Sequence, residues 1–330
     1  MSDLLERFTH HLETSRLLEG AERIVVACSG GGDSTALLLL YSLSKNRSPG
    51  LPHSLNLIAC HVVHGLRGKA GQEDALFVAD LAASLGVRFA LKRVDVPASR
   101  RKGESLEAAA RRLRYEALLA LAAETGARSL VATGHTLDDQ AETVLLNLHR
   151  HAGRNRGGIR ERRSDGVVRP LLPFSRAELR GFLASRSVPW REDETNSNEK
   201  LLRNRIRRRQ LPALEAAWPG ATARLARAGA AWSRRLDALD RTVDAALAGA
   251  AIPIEGPWPR ALISALGPEG ASRLLVRAAG ARGGVPGRAQ LARTVGRLLA
   301  GETHVGESLA GLRLSADAGA VRLVRRARRP

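Results

Sequence analysis

Cysteine is almost missing from this chain: two occur in 330 residues, Cys28 and Cys60. Both fall in strand-like runs and they are not spaced as a Cys-x-x-Cys pair. A disulfide framework and a zinc knuckle are therefore excluded, and both read as small buried apolar residues. Aromatic residues make up 3%, too few for a broad stacking platform on single-stranded nucleic acid. No apolar run reaches the roughly 18 residues that a membrane span needs. The amino-terminal MSDLLERFTHHLETSRLLEG is a polar amphipathic helix rather than a secretion signal, so the expected compartment is the cytoplasm, with no membrane partner. Negative charge is also scarce: 33 Asp and Glu stand against 52 Lys and Arg, a formal net charge of +19. The arginines are clustered, which points to a nucleic-acid partner.

Against these shortages stands a regular alternation. Strand-like runs at 23–28, 55–63, 87–94 and 128–132 alternate with helical periodicity at 34–45, 70–85, 104–125 and 137–150. That order predicts an α/β fold with a doubly wound, parallel, Rossmann-like sheet. Ligands of such sheets sit beyond the carboxyl ends of the strands, and the polar clusters Ser29–Ser34, His64–Arg67 and Gly134–Asp139 fall there. The Arg/Gly-rich stretch from 150 to 170 reads as a mobile loop. Three regions are expected: a catalytic domain over 1–215, an Ala/Arg/Leu-rich helical RNA-binding domain over 216–300, and a small β-hairpin region with a basic tail over 301–330.

The stretch RIVVACSGGGDSTALLLL, residues 23–40, runs from a strand through three glycines into a leucine-rich helix. Consecutive glycines let backbone N–H groups form an anion nest at the amino end of that helix. The spacing matches neither GxxxxGK[ST] nor GxGxxG. An aspartate inside an anion nest, Asp33, makes electrostatic sense when Mg²⁺ lies between it and phosphates. A second constellation, TGHTLDDQAETVLLNL, puts His135, Asp138, Asp139 and Glu142 at i, i+3, i+4 and i+7, one face of a helix. Such a face could hold Mg²⁺, an ammonium ion, or both. An attacking amine with an ordinary pKa of about 10.4 must lose a proton, which carboxylates and a histidine could orient and accept.

SGGGDS is similar to the pyrophosphate loop, SGGxDS, of the N-type ATP pyrophosphatases, which cleave ATP between its α- and β-phosphates. Five further motifs, HVVHGLR (61–67), ESLEAAARRLRYEAL (104–118), TGHTLDDQAET (133–143), RPLLPFSRAELRGFL (169–183) and DETNSNEKLLRNRIRRRQLP (193–212), resemble the tRNA(Ile)-lysidine synthetase family over about residues 20–215, more weakly through 216–320. The resemblance implies a ligase that adenylates O2 of the wobble cytidine in a CAU-anticodon isoleucine tRNA, releases pyrophosphate, and joins free L-lysine to C2 as AMP departs. It implies that Ser29, Gly30, Gly31, Gly32, Asp33 and Ser34 bind ATP, with His64 near the nucleotide and Asp33 and Asp138 on the metal. His135, Asp139 and Glu142 would recognise lysine. Arg111, Arg114 and Arg205 would face phosphates or the transferring adenylyl group. RNRIRRR, with Arg203, Asn204 and Arg207, would clamp the anticodon stem.

Val63 stands where the family has Asn, and HRHAGRNRGGIR replaces a more apolar Gly-rich loop. Longer members carry a further carboxyl-terminal domain, so tRNA discrimination is expected to rest on what remains in this chain. A homodimer is left open. Three alternatives fit the residues less well. A 2-thiocytidine-type tRNA thiolase needs cysteine pairs that Cys28 and Cys60 do not supply. A non-catalytic RNA-binding relative would be favoured by loss of Asp33 or Glu142, and both are present. Amidating synthetases of the superfamily carry a glutaminase, for which this chain has no spare domain.

Overall fold

Strand β1 (Arg23–Ala27) is short and β-branched, and its side chains alternate between two apolar layers. Ile24 and Val26 join one layer, and Val25 joins the other, as the two-residue period of a strand dictates. A strand buried on both faces belongs at the centre of a parallel sheet. In this computed structural model, which describes residues 4–45, 55–65, 69–124, 128–149, 157–192 and 202–325, β1 pairs in parallel with β2 (Asn56–Val63) on one side and β4 (Ser129–Thr133) on the other. Strand β3 (Arg88–Arg93) extends the sheet beyond β2 and β5 (Val167–Val168) beyond β4. The order is β3-β2-β1-β4-β5. The chain reverses its direction of winding between β1 and β4, so a crevice opens outside their carboxyl ends.

Helices cover both faces. On one lie α1 (Leu4–Ser15), α2 (Gly32–Ser44), α3 (Lys69–Ser84) and α7 (Arg176–Ala184), whose buried residues share a core with Ile24, Val26, Ala59 and Ala132. On the other lies α5 (Leu106–Glu124), with Tyr115, Leu118 and Leu121 packed on Val25, Ile58 and Val131. Helix α2 is apolar around its circumference, and every residue from Ser34 to Tyr41 is buried. Truncating one of its leucines to alanine would cost about 2–5 kcal/mol. The expected elements all occur, within two residues at most ends. A short helix, α4 (Val96–Ser99), capped by Asp95, adds to them. The 150–170 stretch departs from its reading as a loop: Val167 and Val168 are fully buried as β5. Two residues are too short a run to show periodicity. Residues 150–156 lie outside the described residues, as do Leu66 and Arg67, 193–201 and the basic tail 326–330.

The chain divides into two compact units, Met1–His149 with Gly158–Ala230, and Arg150–Gly157 with Ala231–Pro330. The first also holds α6 (Leu137–His149), α8 (Leu202–Arg205), a π-helical turn (Ile206–Gln210) and α9 (Leu211–Ala217). The division falls inside α10 (Ala221–Gly249). The second unit packs α11 (Arg260–Ala281) and α12 (Arg288–Leu299) on an antiparallel sheet. Its strand order is β6-β9-β8-β7: β6 is Trp258–Pro259, β7 Val305–Leu309, β8 Leu312–Ala316 and β9 Ala320–Arg325. The tail alternates as a hairpin pair should. Strand β6 comes from within the helical stretch, where two residues ending in proline leave no strand pattern to read. Among the described residues no helix is long and apolar enough to cross a membrane.

Gly134 follows β4 and lies against the first turn of α2: a Cβ there would stand 3.1 Å from the Asp33 carbonyl carbon and the Ser34 nitrogen. Backbone cannot yield as a flexible side chain does. Gly134→Ala is therefore expected to lower unfolding free energy by about 1–3 kcal/mol, read as a reduced urea midpoint with an unchanged slope.

Candidate active site

The glycine turn leaves β1 and starts α2, and its conformation is fixed from several directions. Gly30 has φ +87°, a region open to glycine at little cost, and Gly31 is the extended N-cap of α2. The Ser34 hydroxyl accepts from the Ser29 N–H at 3.1 Å and donates to the Gly31 carbonyl at 3.0 Å. The Ser29 and Ser34 hydroxyls lie 3.1 Å apart. The amino end of a thirteen-residue helix thus faces the crevice with its first turn held in place, an arrangement suited to phosphate. A contact absent from the sequence reading supports the turn: the Arg191 N–H donates to the Gly30 carbonyl at 2.9 Å, and the Arg191 side chain pairs with Asp74 at 2.5 Å and Glu73 at 3.1 Å on α3.

Beyond β4, Thr136 and Asp139 exchange hydrogen bonds that start α6. Asp139 Oδ2 accepts from the Thr136 N–H at 2.9 Å and hydroxyl at 3.0 Å, and the Asp139 N–H donates back to that hydroxyl at 3.3 Å. This reciprocal cap turns the acidic face into the crevice. The Leu137 N–H donates to the Phe174 carbonyl at 2.9 Å, which draws the next segment alongside. There Ser175 and Glu178 form a capping box that starts α7, so Arg176 is the first residue of that helix.

Arg176 is the member of this cluster that the sequence reading missed. Its Nε donates to Asp33 at 3.3 Å, its Nη2 to Asp139 at 2.5 Å and its Nη1 to Glu142 at 2.8 Å. Its backbone N–H donates to Asp138 at 2.8 Å. The segment RPLLPFSRAELRGFL was read only as a motif, and nothing local to it shows that its arginine reaches two other helices.

Arg203 and Arg207 join it. Arg203 donates to Glu142 at 2.9 Å and Asp139 at 3.1 Å; Arg207 donates to Glu142 at 2.6 Å and Asp139 at 3.3 Å. Three guanidiniums thus meet Asp33, Asp139 and Glu142, and the Glu142 side chain is wholly buried. Burial alone would raise Asp139, but Arg176, His135 and Arg203 outweigh it and hold the carboxyl well below the usual carboxylate range. Burial likewise opposes and Arg207 and Arg176 prevail at Glu142, which is also lowered. Asp33 goes the other way, because burial there exceeds the help from Arg176 and Asp139 adds repulsion.

The structure gathers the remaining expected residues unevenly. His135 accepts or donates at Nδ1 to the Thr133 hydroxyl at 2.9 Å. Burial and nearby Arg169, Arg111 and Arg114 push its imidazole down to about 3, against the pull of Asp139, so it is neutral at pH 7. Arg111 and Arg114 stand 5.2 and 5.5 Å from the Tyr115 ring centre, on the side of the crevice where His135 lies. His64 directly follows β2, Asn204 is buried on α8, and Arg205 is exposed to solvent.

Asp33 and Asp138, expected to hold a divalent cation, both contact Arg176. Their hard oxygen donors fit a magnesium ion that takes one or two carboxylates and completes its shell from water and phosphate. The raised pKa of Asp33 comes mainly from burial, with repulsion from Asp139 added, and a bound dication would offset that cost. Among the described residues no group of three or more His, Cys, Asp and Glu side chains is arranged to enclose a metal by itself.

With this geometry in view, comparison with known proteins gives a consistent result. A family model described as a PP-loop domain matches residues 2–214. The tRNA(Ile)-lysidine synthase of Thermus thermophilus is 43% identical over 235 residues, 70% of this chain and 44% of that protein. That of Solibacter usitatus is 42% identical over 229 residues, 66% and 48%. The chain therefore spans about half the length of the curated relatives it matches. Among solved structures, the U34-tRNA thiolase NcsA of Methanococcus maripaludis aligns with a TM-score of 0.54 at 17% identity, over 68% of this chain and 77% of that one, a likeness of fold.

Two outcomes test the electrostatics. Removing one member of a buried, paired cluster leaves charge uncompensated, so Arg176→Gln should cost about 3–5 kcal/mol in urea unfolding. Arg7→Gln, which breaks the exposed pair with Glu178 and a cation–π contact with the Phe174 ring, should cost less, about 1–2 kcal/mol. Second, an unfolded His135 binds a proton below pH 6.5 that the folded imidazole refuses down to about 3. Its stabilising contribution is complete above pH 6.5 and is lost as pH falls toward 3. Melting temperature should decline across that window, and His135→Gln should flatten the decline.

Proposed function

The chain belongs to the PP-loop domain family, and from that premise we propose that it uses ATP and Mg²⁺ in the cytoplasm to attach L-lysine to the wobble cytidine of a CAU-anticodon isoleucine tRNA. The observation that carries this reading is the reach of Arg176, which touches Asp33 beside the glycine turn and Asp139 and Glu142 on α6. A nucleotide site and an amine site are thereby within the span of one guanidinium. Joining an amine to an activated pyrimidine needs that adjacency, because the adenylylated base and the nucleophile must meet.

In the first half-reaction, cytidine O2 attacks the α-phosphorus of ATP, the bond to the bridging oxygen breaks, and pyrophosphate leaves. The amino end of α2, with Ser29 and Ser34 fixing the turn, receives the departing phosphates. Arg111 and Arg114 stabilise charge on the adenylyl group. Asp33 and Asp138 would hold Mg²⁺, which supplies charge neutralisation to the pyrophosphate when bound. In the second half-reaction, the lysine amine, oriented by Asp139 and Glu142, attacks C2, and AMP leaves with O2. A proton passes from the amine to the acidic face. An amide-like oxygen leaves poorly, whereas an AMP ester leaves well, which is the purpose of the first step. Flipping the base is inexpensive in a hairpin loop.

Thiolation is disfavoured on positive grounds: Cys28 and Cys60 are buried, and burial raises both thiols, Cys60 to about 12. Thiolate chemistry requires the opposite shift.

Incubation with ATP, Mg²⁺, labelled lysine and the CAU-anticodon isoleucine transcript should place label in RNA, with AMP and pyrophosphate as products by chromatography. ADP as product would overturn the reading. Asp33→Ala should abolish pyrophosphate release, while Glu142→Gln should reduce lysine transfer at least tenfold more than pyrophosphate release. Equal losses in both half-reactions would contradict the two roles.

A further inference from the structure

Asp139 Oδ1 receives three guanidinium nitrogens, from Arg176 at 2.5 Å, Arg203 at 3.1 Å and Arg207 at 3.3 Å. A carboxylate oxygen offers about two lone-pair sites, so it is oversubscribed, and three like charges crowd around it. Both oxygens of the wholly buried Glu142 are taken as well, Oε1 by Arg176 and Arg207, Oε2 by Arg203 and Arg207. An ammonium group can enter this face only if a guanidinium leaves.

The three arginines are not held alike. Arg176 is 17% exposed, begins α7 behind a capping box, and is tied through its backbone to Asp138 and through its side chain to Asp33. Arg203 and Arg207 are 35% and 28% exposed. They sit where α8 gives way to the π-helical turn Ile206–Gln210, a geometry rare in proteins and concentrated at functional sites. The same short segment turns Arg205, Arg208 and Arg209 to solvent. A polyanion meeting those outer cations comes within reach of the inner two.

Resting on the reading of RNA and lysine as substrates, we propose that Arg203 and Arg207 serve two partners in turn. In the free protein they stopper the amine site on Asp139 and Glu142, and RNA phosphates draw them out, so that lysine binds tightly only after RNA.

The consequences are chemically useful. With all three guanidiniums in place the three carboxylates are balanced; withdrawal of two leaves an excess of negative charge that attracts an ammonium. The same withdrawal removes cations that hold Asp139 and Glu142 below the usual carboxylate range, which makes them better acceptors for the amine's proton. Beside Arg207 and Glu142 lies a cavity of about 220 Å³ that Leu211, Pro212 and Thr222 also line. Its apolar wall suits the methylene stem of a lysine.

Calorimetric titration of L-lysine into the full chain, without ATP so that nothing is consumed, tests this. Lysine should bind at least tenfold more tightly when a CAU-anticodon stem-loop RNA is present. The double variant Arg203→Gln/Arg207→Gln should bind lysine without RNA at least tenfold more tightly than the parent does, and RNA should then add less than twofold. Equal parental affinity with and without RNA overturns the proposal, as does a variant, folded by its melting curve, that gains nothing. The parental comparison stands even if the variant fails to fold. Pyrophosphate release from ATP on the full transcript, measured on the same preparation, separates the two levels. Release with RNA-independent lysine affinity overturns the stopper alone; loss of both release and lysine binding also overturns the function proposed above.

Discussion

Everything at this crevice depends on how buried negative charge is balanced. Asp33, Asp139 and Glu142 come from two helices that begin just beyond adjacent strands, and none of them is well hydrated. Taking ionised carboxylates out of water costs several kcal/mol each unless cations and hydrogen bonds replace the solvent. Arg176 supplies the central compensation, with each side-chain nitrogen on a different carboxylate. The opposite pKa directions at Asp139 and Asp33 follow from how much of that compensation each receives.

The sheet order makes this balance possible. Because β1 and β4 are neighbours with their helices on opposite sides of a switch in winding, the first turns of α2 and α6 both open into one crevice. Gly134 lets them approach, since no Cβ stands between β4 and the backbone of Asp33. A helix amino end suited to phosphate and a helix face suited to a cation are thus neighbours by topology.

Much of the first unit was legible. The strand and helix boundaries follow from periodicity because a buried parallel sheet imposes long, uniform apolar runs, as in the Ile24–Val26 layers and in α2. The glycine turn and the His135–Glu142 face were legible because each is contiguous in sequence. What escaped was non-local or too short to carry a period: Arg176 reaching Asp33 across 143 positions, Arg191 tying down Gly30, and the two-residue strands β5 and β6. The RNRIRRR run was recognised as cationic, yet its composition could not say which arginines face outward.

Residue order by itself determined the class of fold, the place of the phosphate-binding turn and the presence of an acidic helix face, because those are properties of single elements and of their succession. Only the tertiary structure decided that the acidic face is filled by Arg176, Arg203 and Arg207 and which of them is anchored. Ion pairing between distant segments depends on distances of a few ångströms, and no local pattern of residues encodes them.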